Sequence, residues 1–310
     1  MADNSTIPIR PANCAEYYEC LVAWGYVNYL PSIAANVVFV VLFAIGLIAQ
    51  AVLCFRLRTW GFSIAMLLGI TLEIIGYGGR IGMHYDVFID TWFIMYLCCL
   101  TIAPALFSAA VYLSLSRILA IYGEKLSFLS GRTITITFIS CDIVSLVLQA
   151  VGGAIASTAM TAETRDVGVN IMIAGLSSQV AATTGFSLIC LHIIWNIRKY
   201  PERVNVESSE FRKRWPFRGF LWAIATAVVT ILIRCSFRVA ELSEGFKGHL
   251  ANDEVLFIVF DGVMMVICAY VLTVAHPGLT LGSRWNIGAF HWRRNRAVKQ
   301  EGNPAEWGRK

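Results

Sequence analysis

Seven ionisable side chains stand inside stretches that are otherwise apolar: Glu73, Arg80, Asp142, Arg234, Arg238, Glu241 and Asp261. An ionised group at membrane depth is costly, so such residues face a bundle interior or a wet cavity and are functional candidates. Their spacings are helical. Glu73 and Arg80 in LEIIGYGGRIG lie seven residues apart, two turns, and share a face. Gly76, Gly78 and Gly79 between them let another backbone or a ligand come close. In DIVSLVLQAVGG, Asp142, Ser145 and Gln149 follow i, i+3, i+7, and Gly152 and Gly153 extend the stripe. Arg234, Arg238 and Glu241 in RCSFRVAE follow i, i+4, i+7. Asp261 stands alone in its apolar run, and Asn36 and Gln179 add uncharged polar groups.

The carboxylates suit an ammonium group, and the arginines suit phosphate or carboxylate. Their formal charges nearly balance, so one reading is that they pair with one another and fix helix register. The other is a polar cavity for a ligand headgroup. The second is favoured, because a bundle needing only stability can pack with small residues and uncharged hydrogen bonds. Pro104 in TIAPALFSAAVY falls mid-helix, where it should kink the chain or free a carbonyl.

These residues must be held by membrane-crossing helices. The 310 residues are 57% apolar and only 15% charged, against about 45–50% and 25% in soluble domains. The excess falls in runs long enough for the roughly 20 residues that a spanning helix needs. Seven spans are expected, near 30–54, 60–83, 92–116, 133–157, 168–195, 217–240 and 254–275. The fold class is thus an all-α membrane protein, a seven-helix bundle. Rising about 1.5 Å per residue, most of the ionisable groups fall in the half of the membrane opposite the basic connections, with Asp142 nearer the middle.

Lys and Arg set the orientation. One set of connections holds Arg56, Arg58, Lys125 and Arg132, the cluster from Arg198 to Arg218, and the tail from Arg284 to Lys310. The opposite set holds Arg10, Arg165 and Lys247 among several acids. The positive-inside bias makes the first set cytoplasmic, which places the N-terminus outside and the C-terminus in the cytoplasm. Residues 1–28 are then an extracellular segment, 29–278 the membrane domain and 279–310 a basic cytoplasmic tail. The N-terminal stretch has no basic or apolar signal-peptide region. Asn4-Ser5-Thr6 is a glycosylation sequon, and Cys14 and Cys20 form a disulfide candidate on the same outer side. The other cysteines fall in apolar runs without metal spacing, so no metal and no cofactor are expected. The basic patches suit topology and anionic lipid heads, not nucleic acid.

Several of these motifs resemble the fungal lipid-translocating exporter family. The resemblance rests on Tyr29-Leu30-Pro31-Ser32 with Asn36, on Glu73-x-x-Gly76-Tyr77-x-x-Arg80, on Ala103-Pro104 with Tyr112, and on Asp142-x-x-Ser145-x-x-x-Gln149-x-x-Gly152-Gly153. It continues through Gly168-x-x-Ile171-x-x-x-Gly175-x-x-x-Gln179, Arg234-x-x-x-Arg238-x-x-Glu241-x-x-x-Gly245, Glu254 with Asp261, and His276-Pro277-Gly278. It covers about residues 29–278. Phe237 stands before the second arginine of the sixth-span motif, so that position offers no phenol hydroxyl. The resemblance implies a fungal seven-span protein of the plasma membrane, or else of the vacuolar or endoplasmic reticulum membrane. Its partners would be membrane lipids and an amphipathic small molecule such as a sphingoid base.

The residues bear on three functions. Movement of an amphipathic lipid is the leading one. No G-x-x-x-x-G-K-[ST] loop occurs, so ATP is not its direct fuel. A receptor-like sensor fits seven spans and an outer N-terminus, but the third span ends in SLSRILAIYGE and the last in AHPG, without the usual receptor motifs. An intramembrane metal hydrolase of the alkaline-ceramidase kind needs several His ligands in the bundle. The five His lie outside the spans or at their ends, so no enzyme is expected.

Overall fold

The computed structural model describes residues 29–85, 89–122, 129–159, 161–200, 214–244 and 248–282. Asn4, Cys14, Cys20 and the tail beyond residue 282 lie outside the described residues. Six long helices run in order: α1 (Ile33–Leu57), α2 (Trp60–Tyr85), α3 (Asp90–Tyr122), α4 (Gly131–Thr158), α5 (Ala162–Lys199) and α6 (Trp215–Ser243). A seventh span covers Glu254–Leu281. All seven are long and apolar enough to cross a bilayer, which makes the chain an integral membrane protein.

Local chemistry sets the helix ends. Ser32, Ser130 and Thr161 cap α1, α4 and α5 by accepting from Ala35, Thr133 and Thr164 backbone N–H groups. Arg58 closes α1 in the left-handed region at φ 52° and returns its N–H to the Cys54 carbonyl. Glu163 sits in the first turn of α5 and Arg198 and Lys199 in its last, each opposing the helix dipole. Such ends carry α5 several residues past its apolar run, and α3 also extends beyond its own. A hydropathy reading stops at the first polar turn, while the backbone continues to its cap.

Successive helices pack as neighbours, and the seventh span returns to α1 and α6 to close the ring. Helix α3 also reaches α6 and the seventh span. It is the most enclosed of the seven, with half of its most apolar window buried against 17% for α5.

Glycine sets the closest contacts. A Cβ on Gly152 of α4 would lie 2.6 Å from the Gly168 carbonyl oxygen and the Met172 nitrogen of α5. A Cβ on Gly76 would lie 2.7 Å from Leu100 Cγ on α3. Two glycines depart from the sequence expectation. A Cβ on Gly78 would meet nothing within 4 Å, and one on Gly153 only Met172 Sδ at 3.8 Å. The stripe of small residues is real, but helix rotation turns these two away from the tight contact.

The seventh span is composite. After Glu254–Phe257 come a π segment, Ile258–Val263, the α-helix Met264–Val274 and, beyond a turn, Pro277–Leu281. The π segment was not expected from sequence, and it carries Asp261. Such bulges often mark functional sites.

Gly152→Ala should lower stability by roughly 1–3 kcal/mol, because its methyl group meets backbone that cannot rotate away. Gly78→Ala should be neutral or stabilising by about 0.5–1 kcal/mol, the usual helix gain over glycine. Thermal unfolding of the two variants in detergent checks the contrast.

Candidate functional site

The polar residues separate into clusters at different levels of the bundle. The deepest joins four helical elements. Arg234 of α6 forms an ion pair with Asp261 of the seventh span, Nη2 to Oδ1 2.9 Å, and both are buried. The same nitrogen donates to the main-chain carbonyl of Leu100 on α3. In an unbroken helix that carbonyl would accept from the residue four positions on, which here is Pro104. Proline has no N–H, so the freed acceptor is taken by arginine. Tyr77 of α2 donates to Asp261 Oδ2 at 3.4 Å. One turn earlier on α2, Glu73 is fully buried and neither of its oxygens has a hydrogen-bond partner. Arg234, Asp261 and Arg238 all act on it electrostatically.

One turn beyond Arg234, Arg238 pairs with Glu241 (Nη1–Oε2 2.7 Å) and approaches Asp261 at 4.0 Å. The i, i+4, i+7 spacing on α6 thus puts three charges on one face, as expected. Phe237, where no hydroxyl is available, stacks on Phe260 at 5.4 Å between centroids.

Arg80 belongs elsewhere. Its Nε donates to Asn36 Oδ1 at 3.2 Å and its Nη2 to the Tyr29 hydroxyl at 2.8 Å. Its guanidinium lies 3.8 Å over the Phe257 ring. Sharing a helix face with Glu73 did not bring the two into one cluster: Arg80 holds α1, α2 and the start of the seventh span together. Beside it, Glu254 Oε1 accepts from the Ser32 N–H at 2.6 Å. Asp142 of α4 is buried and interacts with Tyr112 of α3, though neither carboxylate oxygen has a well-aligned hydrogen bond. Gln149 Nε2 donates to Gln179 Oε1 at 3.3 Å, linking α4 to α5, while Gln149 Oε1 has no partner.

At the other end, His276 is fully buried. Its Nδ1 accepts from the Gly278 N–H at 3.1 Å. That leaves the proton on Nε2, directed at the hydroxyls of Ser63 (3.3 Å) and Thr59 (3.4 Å).

Sequence reasoning left three partners unnamed as such: Tyr77, quoted only within a motif; the Leu100 carbonyl, foreseen only as an acceptor that Pro104 frees; and the Phe257 ring under Arg80. The first two were readable. Tyr77 is i+4 from Glu73, and Leu100 is four residues before Pro104. The stacking of Phe257 on Arg80 crosses helices and leaves no mark in spacing. The candidates were expected to line one cavity; instead most are enclosed by packing. A cavity of about 740 Å³ lies between α3, α4 and α5, and of the candidate binding residues only Gln149 reaches its wall.

Comparison with known proteins gives the class. The family model described as RTA1 like protein matches residues 66–284. The Saccharomyces cerevisiae protein named sphingoid long-chain base transporter RSB1 is 33% identical, over 84% of this chain and 75% of its own length. Protein RTA1 of the same yeast is 27% identical over 81% of this chain and 84% of that protein. Protein RTM1 is 29% identical over 70% and 67%. No solved structure matches. The chain belongs to the RTA1-like family of fungal seven-span membrane proteins, as its motifs suggested.

Breaking the central pair should be more damaging than removing it. Arg234→Met or Asp261→Asn alone strands a buried charge, at a cost of about 3–5 kcal/mol. The double variant should lose less than the two single losses added. Thermal unfolding of all three proteins in detergent is the check; additive losses would show that the pair is not coupled.

Proposed function

We propose that the protein moves an amphipathic lipid, a sphingoid long-chain base or a phospholipid-like molecule, towards the outer leaflet. By doing so it contributes to lipid asymmetry and to resistance against toxic amphiphiles. The observation that carries this reading is Glu73: a fully buried carboxyl without a hydrogen-bond partner, beside an arginine–aspartate pair inside seven apolar helices. A bundle built only for stability has no use for a fifth ionisable group next to two ion pairs, since each buried ion costs several kcal/mol to desolvate. A cationic headgroup supplies the missing partner. The relative named as a sphingoid long-chain base transporter supports the same class of cargo.

In this reading Glu73, Asp261, Glu241 and Asp142 meet ammonium or hydroxyl groups of the cargo. Arg234, Arg238 and Arg80 meet its phosphate or carboxylate, and Gln149 and Gln179 supply neutral hydrogen bonds. The N-terminus lies outside and the basic tail in the cytoplasm, with the plasma membrane as the site of action. A tag fused after Lys310 should therefore resist protease added to intact cells and be cut only after permeabilisation.

Leaflet exchange in liposomes tests transport directly. Purified protein should raise exchange of a fluorescent sphingoid base or phospholipid above that of empty vesicles. Glu73→Gln and Arg234→Ala, folded by size-exclusion profile, should lower it at least about tenfold, as expected for loss of a charge-assisted contact worth roughly 1.5–3 kcal/mol. No exchange of any probe by folded protein would favour a sensor of lipid asymmetry that moves nothing itself.

A further inference from the structure

The charges described so far are closed inside packing, so a cargo must first be held somewhere more open. The cavity between α3, α4 and α5 has a volume of about 740 Å³, within the roughly 300–1,000 Å³ of small-molecule sites. Its walls are apolar, with Leu97 and Ile102 from α3, Leu146 from α4 and Met172 from α5. Ile102 is 36% exposed and Val147, also on the wall, 56%. Both open towards the surface that faces lipid, so the cavity is entered sideways from the bilayer. Ile143 and Ser157, both on the wall, stand fourteen residues apart on α4. That is about 21 Å at 1.5 Å per residue, more than the roughly 15 Å of one leaflet's hydrocarbon.

Charged groups gather at the mouth, whereas the polar groups along the walls are uncharged. The mouth carries Arg165, Asp166 and Glu244, two acids to one base. On the wall, Gln149 is 4% exposed and its Oε1 has no hydrogen-bond partner. That oxygen is enclosed by protein beside Gln179, whose Nε2 is likewise without a hydrogen-bond partner. Beyond Leu97, Thr101 and Met172 a water-sized gap of about 10 Å³ reaches Arg238 and Glu241. A thin partition therefore separates the cavity from the buried charge clusters.

We propose that this cavity is a binding chamber for a single-chain cationic amphiphile. Its alkyl chain lies along α3, α4 and α5. Its ammonium group rests at the Asp166–Glu244 mouth. The chamber rests on the transport reading and places the cargo's station at the end of the bundle away from His276. Net negative charge at the mouth selects against a carboxylate-headed chain of equal length, and a volume of about 740 Å³ is too small for the two long chains of a phospholipid.

Two native thiols report occupancy. Cys98 lines the chamber, whereas Cys141, also exposed, stands on α4 off its wall. The protein in detergent is treated with a permeant maleimide, and labelling of each thiol is followed by peptide mass spectrometry. Octadecylamine should slow Cys98 labelling at least about fivefold and leave Cys141 unchanged, while stearate and phosphatidylcholine should not. Gly153→Trp, which projects an indole into the open space beside Met172, should abolish the amine's effect. Asp166→Asn with Glu244→Gln, whose amide oxygen can still accept from the Leu250 N–H, should raise the amine concentration needed about tenfold, or roughly 1.4 kcal/mol.

Equal protection by stearate or phosphatidylcholine, or none by the amine, would overturn the chamber. So would full protection in both variants. Leaflet exchange separates the two claims. Exchange by a protein whose Cys98 is never shielded would leave transport standing and remove this site; shielding without exchange would keep the site and remove transport.

Discussion

The fold depends on where the positive charge of Arg234 can go. In hydrocarbon an arginine needs a counter-charge and acceptors for its donors, and neither lipid nor leucine provides them. Here the counter-charge comes from Asp261 and an acceptor from the Leu100 carbonyl. Meeting those needs draws α6 to the seventh span on one side and to α3 on the other. The remaining helices wrap this core, and Tyr77 extends it to α2. Small residues then let the outer pairs close tightly, as between Gly152 and Gly168.

The ends of the seventh span are fixed independently of its middle. Glu254 grips the Ser32 amide at the start, and His276 meets Ser63 and Thr59 at the finish. Between these anchors the π segment gives Asp261 a wider turn. Asp261 is thus the acid whose setting is irregular within a frame that is otherwise held. Glu73, one turn from Tyr77, faces that same irregular stretch without a partner of its own. If cargo binding alters any ion pair, the one made by Asp261 has the least regular backbone behind it.

Much of the architecture was legible in the sequence because membrane physics leaves few choices. Uninterrupted apolar runs had to be helices, and polar residues at i, i+3 and i+7 had to share faces. Arg234, Arg238 and Glu241 share one face of α6 as that logic requires. What spacing did not encode was pairing across helices. Arg80 and Glu73 lie on one face, yet rotation and tilt deliver Arg80 to Asn36, Tyr29 and Phe257. Gly78 and Gly79 are adjacent letters, yet only the second faces α3. The cavity was hidden for a related reason: its walls are ordinary leucines, isoleucines and methionines, and a space is written in no residue at all.

The contact between Arg234 and Leu100 has a genetic side. Its acceptor is main chain, so no substitution at position 100 deletes it, and a mutational scan would see only the size limit set there by Gly76. The instruction that leaves the carbonyl free is written at position 104 instead, in a residue that contributes no hydrogen-bonding atom to the pair. Sequence drift at Leu100 and constancy at Pro104 would record one and the same interaction. A search for co-varying side chains would pass it by.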